Sequence, residues 1–222
     1  SRYDATFLNE LRATKVDGAI KVGDLRFYFP YPDQTFSAAD ETALKAANPQ
    51  VEVIRFSQWA EKAPTPGNDK GFPMIKKFYD PNAQIPPAGA EGASSKDLFL
   101  FRLAETYFIA AEAYFKMGQL DKAAQKLNAI SQRAAKAGQS LTITSADVTL
   151  DFILDEKARE MVGEYKRWLD LKRTRRLARV FEQNLLTKAA NSGPVLDKYY
   201  LRPIPQSVID RDTEGYPQNP GY

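Results

Sequence analysis

Residues 149–173 read TLDFILDEKAREMVGEYKRWLDLKR, and this stretch shows the clearest helical periodicity in the chain. Thr149 can cap a helix with its hydroxyl, and Asp151 places a negative charge in the first turn, where the helix dipole favours it. Apolar side chains then recur at intervals of three and four residues, the spacing of one helix face. The pattern predicts one long helix with an apolar stripe made of Leu150, Leu154, Ala158, Met161, Val162, Tyr165, Trp168 and Leu169.

Two further helices are predicted immediately upstream, from Leu98 to Lys116 and from Leu120 to Ala137. Apolar and small residues recur at helical spacing in both, and Gly118 marks the turn between them. Ala111 and Ala123 flank this turn, and such small side chains permit the close helix approach of a tetratricopeptide-type pair. The predicted fold class is therefore mainly α, with an antiparallel helix pair followed by a long helix.

Residues 1–97 form a loop-rich region with many aromatic residues, prolines and glycines. A few short strands are predicted in it, the best candidates being Thr6–Leu11 and Val51–Phe56. One short helix is predicted from Ala38 to Ala47, because Ser37 is a favourable N-cap residue and acidic residues follow it.

Residues 98–222 form the helical region of the sequence. Its last segment, Tyr199–Tyr222, is rich in proline and glycine, so it is predicted to be extended chain that wraps over the helices. We expect the two regions, 1–97 and 98–222, to belong to one continuous domain of a longer protein.

The composition limits the chemistry that this chain can perform. It contains no cysteine and no histidine, which excludes disulfides, thiolate zinc sites, cysteine nucleophiles and the Ser-His-Asp triad. It also has no glycine-rich nucleotide motif and no nucleophile elbow, so neither a cofactor nor a metal site is predicted. The formal net charge of +3 is too small to imply a polyanionic partner. These features favour a binding protein over an enzyme.

Three parts of the helical region resemble one known family. Phe101–Ala113 (FRLAETYFIAAEA) resembles the R-L-A-E-x-Y-L-I-A-A-E-A helix of the SusD/RagB family. Thr149–Arg173 resembles its I-L-D-E-R-x-R-E-L-x-G-E-x-x-R-W-x-D-L-x-R signature. Tyr200–Gln206 (YLRPIPQ) and Gln218–Tyr222 (QNPGY) are similar to the Y-L-x-P-I-P-Q and Q-N-P-G-Y segments at its C-terminus. The motifs also occur in the family's order.

The SusD/RagB family comprises nutrient-binding lipoproteins of the Bacteroidetes outer membrane, which serve carbohydrate uptake and polysaccharide utilization. The resemblance implies an α-rich, SusD-like fold, a place on the extracellular face of that membrane, and a TonB-dependent transporter of the SusC type as partner. It implies a polysaccharide or oligosaccharide ligand. Separately, the lack of a nucleic-acid motif predicts that nucleic acid is not a partner. The lipidated cysteine and most of the helical scaffold are not in this chain. We therefore expect a C-terminal portion whose membrane contact is made only through an anchor outside it.

Aromatic residues in the loop-rich region are the predicted glycan contacts. A sugar ring offers an apolar C–H face to a flat aromatic side chain, and nearby polar groups can bind its hydroxyls. Trp59 and Tyr31 are preferred because polar residues flank both, and Tyr28 and Tyr79 complete the predicted site. The family's ligand residues lie in variable loops, so these four are not transferred from a family motif.

Two features of the helical region invite other interpretations. Trp168, with Arg167 and Asp170 nearby, could stack on a sugar, but its position on the apolar stripe favours burial. The basic run from Lys172 to Arg179 could bind phosphate, but no nucleic-acid motif accompanies it. A solvated face or a contact with a partner protein is the preferred interpretation of that run.

Two hypotheses about function follow. The leading one is a non-catalytic cell-surface protein that binds a glycan and hands it to the SusC-type transporter. The alternative is a structural and protein-interaction portion that docks on the transporter, with the ligand contacts made elsewhere in the full-length protein.

Overall fold

Helices dominate the regular structure, as predicted, and the strands are few and short. The computed structural model describes residues 2–31, 34–58, 71–80, 94, 96–135, 139, 141–183 and 196–222. Over these ranges, no helix is both long enough and apolar enough to cross a membrane. The chain divides into two compact units, Ser1–Glu164 and Tyr165–Tyr222. The boundary expected from composition, between residues 97 and 98, falls inside the first unit.

The described helices are α1 (Arg2–Thr6), α2 (Ala38–Ala47), α3 (Leu103–Lys116), α4 (Leu120–Ala134), α5 (Leu150–Glu160), α6 (Arg167–Arg173), α7 (Leu177–Gln183) and α8 (Gln206–Ile209). The described strands are β1 (Phe7–Leu8), β2 (Glu10–Arg12), β3 (Leu25–Tyr28), β4 (Glu52–Val53) and β5 (Met74–Ile75). Short 3₁₀ turns lie at Phe56–Gln58, Ser145–Asp147 and Asp197–Tyr200.

The core of the first unit lies between α3, α4 and α5. Phe108 and Leu127 are among its fully buried side chains. Ala111 and Ala123 are also completely buried, which permits the close approach of α3 and α4 that their small side chains predicted. Gly118 has a φ of +71°, a left-handed conformation that glycine adopts without strain, and it makes the turn between the two helices.

The bounds of the helix pair differ from the prediction. α3 begins at Leu103 rather than at Leu98, since Arg102 has an extended backbone with a φ of −144°. Its side chain is engaged in ion pairs instead of capping the helix. α4 is described to Ala134, and residues 136–138 at its predicted end lie outside the described residues.

Residues 149–173 form two helices rather than the single long one predicted. α5 starts after Thr149, whose hydroxyl accepts a hydrogen bond from the Phe152 N–H as expected, and it ends at Glu160. The chain then turns through Gly163, at φ +80°, and Tyr165, at φ +58°, before α6 begins.

The end of α5 has a physical cause at the carbonyl of Glu160. In a continuing helix this oxygen would accept a hydrogen bond from the N–H of Glu164. Instead Lys77 Nζ and Arg102 Nη2 donate to it, at 2.6 and 2.9 Å, and the Glu164 N–H donates to the carbonyl of Met161 at 3.0 Å. Because both side-chain donors are distant in sequence, the local spacing of apolar residues does not reveal the break.

Two small sheets lie in the loop-rich region. One has the order β2-β3-β4, with Leu11 opposite Phe27 in the antiparallel pair and Phe27 opposite Glu52 in the parallel pair. The other pairs β1 with β5. Phe29 and Ile54, just beyond β3 and β4, are fully buried. The two predicted strand segments thus contain strands, although each strand is shorter than its segment.

The helix α2 has the predicted bounds and the predicted cap. The Ser37 hydroxyl accepts a hydrogen bond from the Asp40 N–H, while the Asp40 carboxylate accepts one from the Ser37 N–H. The hydrogen bonds from Ser37 lower the pKa of Asp40 from its usual value. Asn48 ends the helix.

The second unit has a small core of its own, made of Leu171, Leu177 and Tyr200. Trp168 and Phe181 pack against it. Trp168 is therefore partly buried, in line with the interpretation that its place on the apolar stripe favoured.

Side-chain amides join the two C-terminal motif segments to each other. The Gln218 amide bonds both the N–H and the carbonyl of Ile204, at 2.8 and 2.9 Å, and Asn219 Nδ2 donates to the carbonyl of Arg202 at 2.7 Å. The Tyr222 hydroxyl donates to the carbonyl of Lys198 at 3.2 Å. The segment was predicted to be extended throughout, but it contains a 3₁₀ turn and α8, and its residues fold back on one another.

A test of the helical core compares two neighbouring residues of α3. Phe108→Ala removes a ring that is only 1% exposed, so it should lower the free energy of unfolding by about 3–5 kcal/mol. Ile109→Ala is the matched control, because Ile109 is 60% exposed and its loss should cost less than about 1 kcal/mol. Urea unfolding of both variants measures the difference. Equal destabilisation by the two substitutions would contradict this core.

Candidate functional site

Five charged side chains of the first unit form what we call the ionic cluster, namely Lys77, Arg102, Arg133, Glu160 and Glu164. Glu160 Oε1 accepts hydrogen bonds from Arg102 Nη1 at 2.8 Å and from Arg133 Nη2 at 2.6 Å. Glu164 accepts from Lys77 Nζ at 2.7 Å and from Arg102 Nε at 2.9 Å. Both carboxylates are buried, and both have cationic donors, as buried charges require.

These contacts shift the pKa values of two members of the ionic cluster, Glu164 and Arg102. Burial raises the pKa of Glu164, but hydrogen bonds from Arg102 and Lys77 outweigh it and hold that pKa below its usual value. Burial likewise lowers the pKa of Arg102, and its bonds to Glu164 and Glu160 more than compensate, so the pKa of Arg102 is raised. The carboxylate of Glu164 is therefore ionised at neutral pH, which is unlike a general acid.

The Arg102–Glu160 pair of the ionic cluster and a second pair outside it show how α3 lies against α5. Arg102 pairs with Glu160, and three residues further along α3 Glu105 lies 3.7 Å from Lys157, three residues earlier on α5. The two helices are therefore antiparallel. The charged residues of the R-L-A-E and R-E-x-x-G-E motifs have a structural role here, since they hold α3 against α5.

A cavity of about 470 Å³ opens beside the ionic cluster. Its lining includes Phe99, Arg133 and Arg159. The cations along it already have carboxylate partners, since Arg133 pairs with Glu160 and Arg159 pairs with Glu156 at 2.7 Å. The positive charges of this cavity are thus largely balanced by carboxylates.

A larger cavity, of about 770 Å³, lies in the second unit, and we call it the aromatic cavity. Two aromatic rings, three cationic side chains and one amide line it together with two leucines. The lining residues are Tyr165, Arg167, Trp168, Leu169, Lys172, Leu201, Arg202 and Asn219. Flat rings beside hydrogen-bond donors are the combination that sugar rings require.

The backbone and the small core position the aromatic residues of this cavity. Tyr165 has a φ of +58°, rare for an aromatic residue, and its side chain is 89% exposed. Trp168 packs against the small core made of Leu171, Leu177 and Tyr200. The Arg202 guanidinium lies 5.5 Å from the centroid of the Trp168 ring. Asn219 fixes the backbone of Arg202 through its hydrogen bond to the Arg202 carbonyl. The Trp168 ring is thus held by packing, while the Tyr165 ring is open to solvent.

Two of the predicted glycan contacts, Tyr28 and Tyr31, are partly buried against other rings. The Tyr28 ring centroid lies 5.2 Å from that of Phe36, and the Tyr31 ring meets Tyr3 edge-on at 5.1 Å. Each ring has a different aromatic neighbour. Their contact with a glycan stays a prediction.

Of the other two predicted contacts, the structure describes Tyr79 but not Trp59. Tyr79 follows β5 and is 47% exposed, and its carbonyl accepts a hydrogen bond from Lys96. Trp59 lies outside the described residues. The structure thus describes three of the four predicted aromatics.

Sequence reasoning missed the aromatic cavity. Tyr165 and Trp168 were both assigned to the apolar stripe of one helix, which would have placed both rings on the same face. The signal that could have separated them is Gly163, a residue that often ends helices and that precedes Tyr165 by two positions.

The ionic cluster predicts a specific dependence of stability on pH. Because the pKa of Glu164 is lowered on folding, its stabilising contribution is present above the unfolded-state pKa of about 4.3. That contribution disappears as the pH falls through the lower folded-state pKa. Glu164→Gln should therefore reduce the free energy of unfolding by about 1–3 kcal/mol at pH 7 and flatten its decline below about pH 5.

Urea unfolding between pH 7 and pH 3 measures both effects. The control is Glu214→Gln, because Glu214 is exposed and should change stability by less than about 0.5 kcal/mol. An acid decline as steep in Glu164→Gln as in the unsubstituted chain would refute the role given to the ionic cluster.

The chain resembles known proteins over its whole length. The model of the SusD family matches residues 1–222. SusD-like protein P2 of Formosa agariphila is 28% identical over 212 residues, which are 92% of this chain and 40% of that protein. SusD-like protein P38 of the same organism is 28% identical over 130 residues, 55% of this chain and 25% of that protein. No solved structure matches the chain.

These relatives are longer than the chain, which spans about two fifths of the length of the first and a quarter of the second in the matched regions. The family match nevertheless extends from the first residue to the last. The motifs on which the resemblance rested also have defined structural roles, in the ionic cluster and in the amide bonds between the C-terminal segments. The chain belongs to the SusD family.

Proposed function

We propose that this chain is the glycan-binding portion of a SusD-family protein at the extracellular face of an outer membrane. Membership of the family supports a role in nutrient capture. The observation that carries the assignment of the site is the aromatic cavity, in which Tyr165 and Trp168 lie beside Arg202 and Asn219. Its function is to hold a polysaccharide or an oligosaccharide without cleaving it.

The chemistry of the aromatic cavity suits a sugar ring. The exposed ring of Tyr165 can cover the apolar C–H face of a pyranose, a contact that needs a flat and accessible side chain. Guanidinium and amide groups can donate to the ring hydroxyls, which are good acceptors. At about 770 Å³, the cavity is of the size that binds small ligands.

The remaining features of this role belong to the full-length protein. We propose that it is held at the membrane by a lipid anchor, and that it hands the glycan to a SusC-type TonB-dependent transporter. No cofactor and no nucleic acid take part. Tyr28, Tyr31, Tyr79 and Trp59 are proposed as additional contacts for a long glycan.

A second candidate function is favoured by the exposed face of α3. Leu103 and Ile109 in α3, and Met117 directly after it, are each at least 60% exposed, and the run 98–101 ahead of the helix is apolar and exposed as well. Large exposed apolar patches mark interaction surfaces. On this account the chain is a structural and protein-interaction portion that docks on the transporter, with ligand contacts made elsewhere.

The glycan-binding role predicts the effect of removing the exposed ring of the aromatic cavity. Tyr165→Ala should weaken binding to the preferred glycan at least tenfold, or about 1.4 kcal/mol, with little loss of stability since the ring is exposed. Calorimetry and affinity electrophoresis against a panel of polysaccharides measure this change.

Tyr216→Ala is the matched control, because Tyr216 is an exposed tyrosine of the same unit that does not line the cavity. Its affinity should equal that of the unsubstituted chain. If Tyr165→Ala binds every glycan as tightly as the control does, the aromatic cavity is not the site. If Ile109→Glu instead abolishes assembly with the transporter while glycan binding is unaffected, the second candidate accounts for this portion of the protein.

A further inference from the structure

We propose that the aromatic cavity selects glycans that carry negative charge, as carboxylate or sulfate groups. This inference rests on the proposed function and names the class of ligand at that same site. Three cationic residues, Arg167, Lys172 and Arg202, line the cavity. The described residues that line it include no aspartate and no glutamate.

Two of these cations have no carboxylate partner within the part of the chain that the structure describes. Lys172 is exposed and forms neither an ion pair nor a side-chain hydrogen bond there. The Arg202 guanidinium lies over the ring of Trp168, and its side chain pairs with no described acid. Their charges therefore remain available to a ligand.

Two cations close to the aromatic cavity in sequence do have acidic partners. Arg173 pairs with Asp170 at 2.8 Å, and Arg175 pairs with Asp197 at 2.9 Å and stacks on Tyr200. Acidic residues thus lie close enough along the chain to balance charge elsewhere. They are missing from the lining of the aromatic cavity.

The cavity of the first unit gives a second comparison. Its cations Lys77, Arg102 and Arg133 are each bonded to Glu160 or Glu164. Both cavities thus contain guanidinium groups, but only the aromatic cavity combines uncompensated cations with two aromatic rings.

The aromatic rings and the cations of the cavity match the apolar face and the anionic group of an acidic sugar. A uronate or a sulfated sugar has an apolar C–H face for Tyr165 and an anionic group for Lys172 and Arg202. A guanidinium recognises the planar oxygens of a carboxylate or the oxygens of a sulfate through paired N–H donors. Nucleic acid is the less suitable polyanion, since two rings in one cavity do not make a continuous stacking surface.

The test uses pairs of polysaccharides that share a backbone and differ in charge. One pair is polygalacturonate and its methyl ester, and the other is a sulfated galactan and the same galactan after desulfation. The full chain should bind at least one charged form tenfold or more tightly than its neutral partner. That preference should decrease as the salt concentration rises, because salt screens exposed charges.

Substitutions then assign the preference to the aromatic cavity. Lys172→Gln and Arg202→Gln should each reduce the affinity for the charged form about fivefold more than they reduce the affinity for the neutral form. Arg211→Gln is the matched control, since Arg211 is exposed in the same unit and does not line the cavity. Circular dichroism of each variant verifies that it is folded.

The outcomes separate this inference from the proposed function. Equal affinity for the charged and neutral forms, with both lost in Tyr165→Ala, overturns the charge preference and leaves glycan binding in place. Absence of binding to all four polysaccharides overturns the inference, and failure across a broader neutral panel overturns the proposed function too. Binding of a single-stranded oligonucleotide as tightly as the charged glycan also overturns the inference.

Discussion

The side chain of Arg102, just before α3, binds Glu160 at the end of α5 and Glu164 in the turn that follows it. Its guanidinium bonds the carboxylates of Glu160 and Glu164 and the carbonyl of Glu160. These bonds hold the start of α3 against the end of α5. They also occupy the carbonyl that would otherwise continue α5, so the chain turns at Gly163. The same turn leads directly to Tyr165, in its left-handed conformation.

Burial strengthens the attraction between Arg102 and the two carboxylates, but it also adds a desolvation cost. Removing charged groups from water is costly, and the cost is recovered only where each group has several well-placed partners. Arg102 satisfies that condition with three acceptors, and Lys77 and Arg133 supply the remaining positive charge. In the aromatic cavity of the second unit, Lys172 and Arg202 have no acidic partner among the residues that the structure describes. Buried charges whose hydrogen bonds are all made within the protein stabilise the fold. Exposed cations without an acidic partner can instead bind a ligand.

Local patterns in the sequence predicted those features that depend on near neighbours. The cap of α2 at Ser37 needs only Asp40, and the α3–α4 pair needs only the spacing around Gly118. The spacing of apolar residues did not reveal the end of α5, because the bonds that end it come from donors 83 and 58 residues away, and the local signal was Gly163. The exposure of Tyr165 depends on that end. A candidate site beside it was therefore hidden from reasoning based on periodicity.

The two tryptophans of the chain allow the most direct test of where a glycan binds. Trp59 belongs to the loop site predicted from sequence, and Trp168 lines the aromatic cavity. The measurement is tryptophan fluorescence during titration with a bound glycan, in the single-tryptophan variants Trp59→Phe and Trp168→Phe. If the aromatic cavity is the site, the fluorescence change persists in Trp59→Phe and disappears in Trp168→Phe. A change that persists in Trp168→Phe and disappears in Trp59→Phe would contradict the account.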